Sequence, residues 1–278
     1  MSFRGLNVSE IQEIIDWEQV KSAGYQFAML LAGHGLGILD QKFLQNASEC
    51  NRIGLPIGAY WLCRAINPET ARQEADGCIS AVSSCRLEYP VCYNINQMTI
   101  SYAAQHGVTV TPSLATQFVQ NFCDRIEELG YYPMFCCSRN FLDTYFPPGF
   151  SKRYTFWYSC HSSTFDNTDC SMWQYTDQGN VPGISGNVDL DVGFLDFPVM
   201  IRSAGFNRLD GSLPPPAGTQ NYITYVVQPE DTLIRIAQRY GTTYEALASL
   251  NDIPDPDIIY AGQTIRIPET GTSFFRIS

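Results

Sequence analysis

Over the first two hundred positions, apolar residues alternate between short dense runs and stretches where they recur every three or four residues. The dense runs read as buried strands and the spaced stretches as amphipathic helices. Gly5-Leu6-Asn7-Val8-Ser9 predicts a first strand, and Asp16-Trp17-Glu18-Gln19 has the form of a capping box that opens a helix ending at Gly24. Phe27 to Leu31 is a second strand. Asp40 can cap the next helix, whose apolar face is Phe43, Leu44, Ala47 and Cys50 and which Gly54 stops. Pro56 to Leu62 follows as a strand, and Asn67-Pro68 starts a helix with proline at its first position. Pro90 to Asn96 is a fourth strand. A helix from about Pro112 to Leu129 then shows Phe118, Phe122, Ile126 and Leu129 on one face. After Tyr132 to Cys137 the rhythm changes, and three strands near Tyr154–Ser159, Met172–Tyr175 and Gly186–Leu190 follow without clear helices between them.

Strands alternating with helices imply a parallel sheet, and eight strands can close it. The predicted class is α/β: an irregular TIM-like barrel of five β/α units plus three strands over residues 1–203, with a plain eightfold barrel as the alternative. Residues 204–221, containing Pro214-Pro215-Pro216, have the composition of a semi-rigid linker. Residues 222–268 then predict a small strand–helix–helix–strand unit, and 269–278 a tail.

Charge and cysteine content narrow the classes. A net charge of −11 over 278 residues opposes binding to nucleic acid or an anionic membrane. No stretch approaches the ~20 apolar residues of a membrane span, and Met1 to Gly5 runs straight into a strand pattern, which predicts no signal peptide. The ten cysteines lie between Cys50 and Cys170. Several sit inside strand-like runs, where cysteine acts as a small hydrophobe. Their spacing, and that of His34, His106 and His161, predicts no metal site and no cofactor. The expectation is buried thiols, with Cys160–Cys170 as the one candidate bridge.

Two resemblances follow from the motifs. Gly5-Leu6-Asn7-Val8-Ser9, Ile15-Asp16-Trp17, Ala32-Gly33-His34-Gly35, Gly58-Ala59-Tyr60, Glu74-Ala75 and Gly130-Tyr131-Tyr132 occur in order. Trp173-Gln174-Tyr175-Thr176 and Gly183-Ile184-Ser185-Gly186-Asn187-Val188-Asp189-Leu190 complete the series. From Arg4 to Gly193 the chain resembles the glycoside hydrolase family 25 lysozymes, N-acetylmuramidases that cleave peptidoglycan. Tyr225 to Leu233, Ile236-Ala237, Tyr240-Gly241-Thr242, Leu250-Asn251 and Tyr260 to Gln263 resemble a LysM domain, with Glu230 standing where that family usually has glycine.

The first resemblance implies acids at three strand ends: one in the first strand, an Asp-x-Glu pair in the fourth and one in the eighth. Here those positions are Asn7, Asn94 and Asn96, and the retained acid is Asp189. An amide keeps the shape of a carboxyl group but cannot exchange a proton near neutral pH, so a pseudoenzyme is expected. Leu31 and His34 replace the family's usual arginine and aromatic residue. Glu10 and Asp191 are read as surface carboxylates turned away from the face of Asn7 and Asp189. Tyr60, Tyr93, Trp157 and Tyr175 are candidates for a glycan-binding cleft, with Tyr93 and Trp157 equally readable as core. In the small unit the resemblance implies a groove for N-acetylglucosamine chains at Asp231, Thr232, Leu233, Ile253 and Ile258; a protein adaptor is the alternative.

Three functions stay open: an inactive protein that binds peptidoglycan or chitin-like glycans, a structural component of a phage-tail-like or filamentous assembly with protein partners, and an active muramidase. The family implies action at the cell wall or outside the cell. Without a signal peptide, the route there is lysis or non-Sec export.

Overall fold

The computed structural model describes residues 2–162, 165, 169–209, 222–228, 231–240, 244–251, 253, 255–256, 258–260 and 262–268. These fall into two compact units, 1–212 and 213–278.

In the first unit, strands β1 (Phe3–Val8), β2 (Phe27–His34), β4 (Ile57–Leu62), β5 (Val91–Asn94), β6 (Pro133–Ser138), β7 (Thr155–Ser159), β8 (Met172–Gly179) and β9 (Val188–Gly193) close a ring in that order, β9 pairing back onto β1. A two-residue strand, β3 (Ile38–Leu39), folds back on β2. Pairing is parallel from β1 round to β8, but β9 runs antiparallel to both β8 and β1. The parallel pairing that the strand–helix units imply holds up to β8 and gives way at this last strand of the irregular barrel. Only residues 180–187 join β8 to β9, fewer than a parallel crossover needs.

The predicted helices form as α1 (Trp17–Ser22), α2 (Phe43–Ile53), α3 (Pro68–Val82) and α5 (Pro112–Glu128). Three of their starts carry a side-chain cap; α2 is the exception, its N-cap position falling on Lys42 and not on the expected Asp40. Asp16 accepts from the Gln19 amide at 3.0 Å, and Asn67 from that of Thr70 at 2.8 Å with Pro68 next. The short α4 (Gln97–Gln105), α6 (Arg139–Tyr145) and α7 (Phe197–Ser203) went unpredicted because each is two turns or so, too brief for a stable period.

Apolar residues fill two layers. Outside the ring, the strands' outward residues meet the helices, with Phe118, Phe122 and Ile126 of α5 buried as their spacing required. Inside it lie Phe27, Met29, Tyr89, Cys92, Met134, Cys136, Trp157 and Met172, closed below by Phe197 and Ile201 of α7. The narrow interior explains Gly5: a Cβ there would stand 2.2 Å from the Phe27 ring. Cys160 and Cys170 are not bridged. They lie past the end of β7 and before the start of β8, and parallel neighbours place those points at opposite ends of the ring.

The barrel extends past residue 203, which corrects the expected start of the linker. Phe206 and Leu209 pack against the interior cluster, and Asn207, 5 % exposed with φ 55°, ties together the segments that lead into β5 and β6. Its Nδ2 donates to the carbonyls of Leu87 (3.1 Å) and Tyr89 (3.0 Å), and its Oδ1 accepts from the Tyr132 amide at 2.8 Å. Asn207→Ala orphans buried backbone groups, so a loss of roughly 3 kcal/mol is expected in denaturant unfolding. A change within experimental error would remove this latch from the account. The proline-rich segment 210–221 and the tail 269–278 lie outside the described residues.

The second unit pairs β10 (Tyr222–Val226) antiparallel with β11 (Thr264–Pro268), with α8 (Leu233–Arg239) and α9 (Tyr244–Leu250) between them. Val227, Leu233, Ile236, Ala237, Leu247, Ile265 and Ile267 form its core.

Candidate functional site

The C-terminal ends of the parallel strands, together with the start of β9, surround one mouth of the barrel. Asn7, near the end of β1, is the register partner of Asp189 on β9. Asn94 ends β5, four strands round the ring of eight from β9. Asn96 is tied to it, its Nδ2 donating to Asn94 Oδ1 at 3.0 Å. Asn96 also caps α4, its Oδ1 accepting from the Met98 amide at 2.9 Å, and Asn94 Nδ2 contacts Cys136 Sγ at 3.8 Å.

The reading of Asp191 as a surface carboxylate is overturned. Residues two apart on a strand share a face, so Asp191 follows Asp189 inward rather than alternating away from it. It is 0 % exposed. Its Oδ2 accepts from Asn7 Nδ2 at 3.0 Å and its Oδ1 from Trp157 Nε1 at 2.9 Å. Burial pushes this carboxyl well above its ordinary range; the Asn7 and Trp157 donors oppose that shift and the charge of Asp189 adds to it. Asp189 is only part-buried, and its pKa is also raised, first by burial and then by Asp177, against the pull of His161 and of hydrogen bonds to Gln174 and Asn7. His161 Nδ1 stands 3.6 Å from Asp177 Oδ2, and Ser159 Oγ donates to Gln174 Oε1 at 2.6 Å. Glu10, by contrast, sits exposed in a short turn after β1, where its carboxylate accepts from the Gln41 amide.

The four candidate aromatics divide. Tyr60 and Trp157 line the interior just below the mouth, edge to face at 5.9 Å, and the Tyr60 hydroxyl reaches the Val8 carbonyl at 3.4 Å. Tyr93 is not in a cleft. Since Asn94 points inward, Tyr93 points outward, where it stacks on Phe122 at 3.9 Å and donates to Glu74 Oε2 at 2.7 Å. Tyr175 likewise packs with the outer layer, beside Trp173, where a bulge interrupts β8. Leu31 packs against the interior cluster, and His34 is held below its usual pKa, first by burial and then by Arg64.

Glu74 gives a pH test of this outer layer. It is wholly buried, with hydrogen bonds from Tyr93 and from the Arg64 amide (2.9 Å), and burial raises its pKa to about 8. A carboxyl raised in the folded state contributes stability that is full below its unfolded pKa and is lost as pH rises through the folded value. Stability should therefore fall from about pH 4.5 to about pH 8, and Glu74→Gln should flatten part of that slope in pH-dependent melting. An unchanged slope would contradict the assignment.

Among the described residues, no group of His, Cys, Asp and Glu could hold a metal ion. What the mouth offers is the amides of Asn7, Asn94 and Asn96 and the part-buried carboxyl of Asp189, with Asp191 and Trp157 closed off beneath them. Such a set can accept and donate hydrogen bonds to a polyhydroxylated ligand.

In the small unit, Asp231 and Thr232 are engaged by groups of the unit itself. Asp231 Oδ2 accepts from Tyr225 Oη (2.6 Å) and the Gln228 amide (2.8 Å), while Thr232 caps α8 through the Arg235 amide at 3.2 Å. Leu233 is corrected: it is 1 % exposed and belongs to the core that it forms with Val227, Ile236, Leu247, Ile265 and Ile267. Ile253 packs on that core from one side, and Ile258 is exposed. Glu230 lies outside the described residues.

A lysozyme-like barrel followed by a βααβ unit is thus the class that fold and motifs define. Residues 6–184 match the family described as glycosyl hydrolases family 25 and residues 225–268 match the LysM domain; the chain belongs to glycosyl hydrolase family 25 and carries a C-terminal LysM domain. The first match stops short of β9, so Asp189 and Asp191 lie outside it. The autolytic lysozyme of Clostridium acetobutylicum is 25 % identical over 191 residues, 68 % of this chain and 55 % of that protein. The cortical fragment-lytic enzyme of Bacillus subtilis is 49 % identical over 47 residues, 17 % of this chain and 11 % of its own length. Among solved structures, the modular autolysin LytC from Streptococcus pneumoniae superposes with TM-score 0.61 at 24 % identity, covering 69 % of this chain and 47 % of that one. At these identities the structural likeness shows the fold. The chain spans about half the length of the autolytic lysozyme and of LytC.

Proposed function

We propose that this protein holds peptidoglycan glycan strands without cutting them, the LysM domain supplying most of the affinity and the barrel mouth a second contact. The observation that carries this reading is the chemistry of the mouth: of the four acid positions the family implies, 7, 94 and 96 hold amides and 189 alone holds a carboxyl. Cleaving a glycosidic bond takes an acid for the leaving oxygen and a second group for the cationic sugar, placed on either side of the bond. Asp189 and Asp191 share one strand and one side of the ring, and Asp191 is sealed beneath the mouth. A family fold without a proton donor at the β5 end leaves binding as its remaining work. That these relatives are named for lysis supports the wall as the ligand, and fits action at the cell wall.

A calorimetric titration of the full chain with peptidoglycan-derived oligosaccharides tests it. Saturable heat with the oligosaccharide recovered intact is expected; absence of binding overturns the proposal.

A second reading, a building block of an assembly, has one observation in its favour. Ile11, Ile14, Leu36, Ile38 and Met98 stand exposed on segments that follow β1, β2 and β5, at the mouth end. Sedimentation of the purified protein separates the two readings: a homopolymer that excludes glycan would favour assembly.

A further inference from the structure

The acid absent from position 7 has a carboxylate one hydrogen bond away. Asn7 Nδ2 donates to Asp191 Oδ2 at 3.0 Å, and Trp157 Nε1 serves the other oxygen at 2.9 Å. Each carboxylate oxygen therefore has its own donor inside a fully closed pocket. Asn7 is also the register partner of Asp189 across the β1–β9 pair, so its amide stands beside both acids of β9.

We propose that Asn7 and Asp191 form an acid–amide pair, with the carboxyl group on β9 and the amide on β1, and that Asp191 is the positioning residue that fixes the orientation of the Asn7 amide at the mouth. With Nδ2 committed to Asp191, the Asn7 oxygen is left as the acceptor. An acid at position 7 beside Asp191 would put two acceptors at 3.0 Å with no hydrogen between them unless they shared a proton. The pair is balanced only when one member is an amide, whichever strand holds it. This inference rests on the family assignment of position 7 and is independent of glycan binding.

The titratable groups around Asp191 are Asp189 on its own strand, Tyr60 on β4 and Tyr175 on β8; Asp177 and His161 act in turn on Asp189. None of them is a cation fixed against Asp191, so neutral hydrogen-bond donors and its own protonation are what make its burial tolerable.

Three variants of the full chain test the pair by melting temperature against pH: Asn7→Asp, Asp191→Asn and the two together. Asn7→Asp should melt on the order of 10 °C lower at neutral pH, with much of the loss recovered in acid, where the two carboxyls share protons. Adding Asp191→Asn should restore most of the neutral-pH loss. The amide then standing at position 191 can donate to the new acid at position 7 while its oxygen still accepts from Trp157. A merely steric demand for asparagine at position 7 would leave the double variant as unstable as the single one. If Asn7→Asp does not fold, Asp191→Asn alone still decides. Removing a carboxyl whose folded pKa is raised should lessen the fall in stability from acid to neutral pH. A pH-independent loss in Asn7→Asp, a double variant that is not rescued, or an unchanged slope in Asp191→Asn would each overturn the pairing. No readout involves glycan, so a protein that binds none would sink the proposed function and leave this result standing.

Discussion

Incubated with peptidoglycan from acid to neutral pH, the purified protein should release no reducing ends above a blank. No group at the β5 end can protonate a leaving oxygen: Asn94 and Asn96 are hydrogen-bonded to each other, and Asn96 is spent on the cap of α4. Loss of a general acid alone costs roughly 10²–10⁴ in rate, and on the proposed reading the partner acid is replaced as well. The converse experiment is restoration. Asn7→Asp, Asn94→Asp and Asn96→Glu together supply the acids that the family implies, but they also set a second carboxyl, at position 7, against Asp191. The quadruple variant that adds Asp191→Asn should turn over peptidoglycan, and the triple variant should do so more weakly and melt lower. Replacing the Asn96 cap costs about 1 kcal/mol, which the fold can absorb. A quadruple variant that folds but stays inactive would mean the groove itself has been remodelled.

The second large effect concerns the LysM domain. A fragment of residues 219–278 should bind chitooligosaccharides, and truncation to residues 1–212 should weaken glycan binding by about tenfold or more, or 1.4 kcal/mol per decade. The fragment spans a unit with its own core, in which Val227, Leu233, Ile236, Leu247, Ile265 and Ile267 are buried together. Of the residues the resemblance points to, Ile253 and Ile258 remain available for a ligand, while the side chains of Asp231 and Thr232 hold the loop before α8. Binding confined to the barrel fragment would reverse the assignment of affinity.

Much of the fold was legible because the local signals were physical ones. Caps at Asp16 and Asn67, prolines opening α3 and α5, and apolar runs for eight strands each had a single consistent reading. The antiparallel β9 was not legible from its own residues; it follows from the short link to β8, a length that matters only once the ring is known. Asn7, Asn94, Asn96 and Asp189 come from the resemblance, by their places in its motifs, and stay part of the proposal. Asp191 was missed although the signal was present, since a period of two puts residues 189 and 191 on one face. Tyr93 fails by the same rule in the other direction: if Asn94 faces the mouth, its neighbour cannot. The latch at Asn207 carried no sequence signal, because its three partners come from segments 75 to 120 residues away.

The most direct test of the central claim combines binding and turnover in one tube. The full-length protein is mixed with insoluble peptidoglycan and sedimented, and the supernatant is assayed for both remaining protein and new reducing ends. Protein carried down with the pellet, with reducing ends at the blank level over a long incubation, is the result expected. Reducing ends that accumulate in proportion to added protein, in a preparation free of other lysozymes, would contradict it.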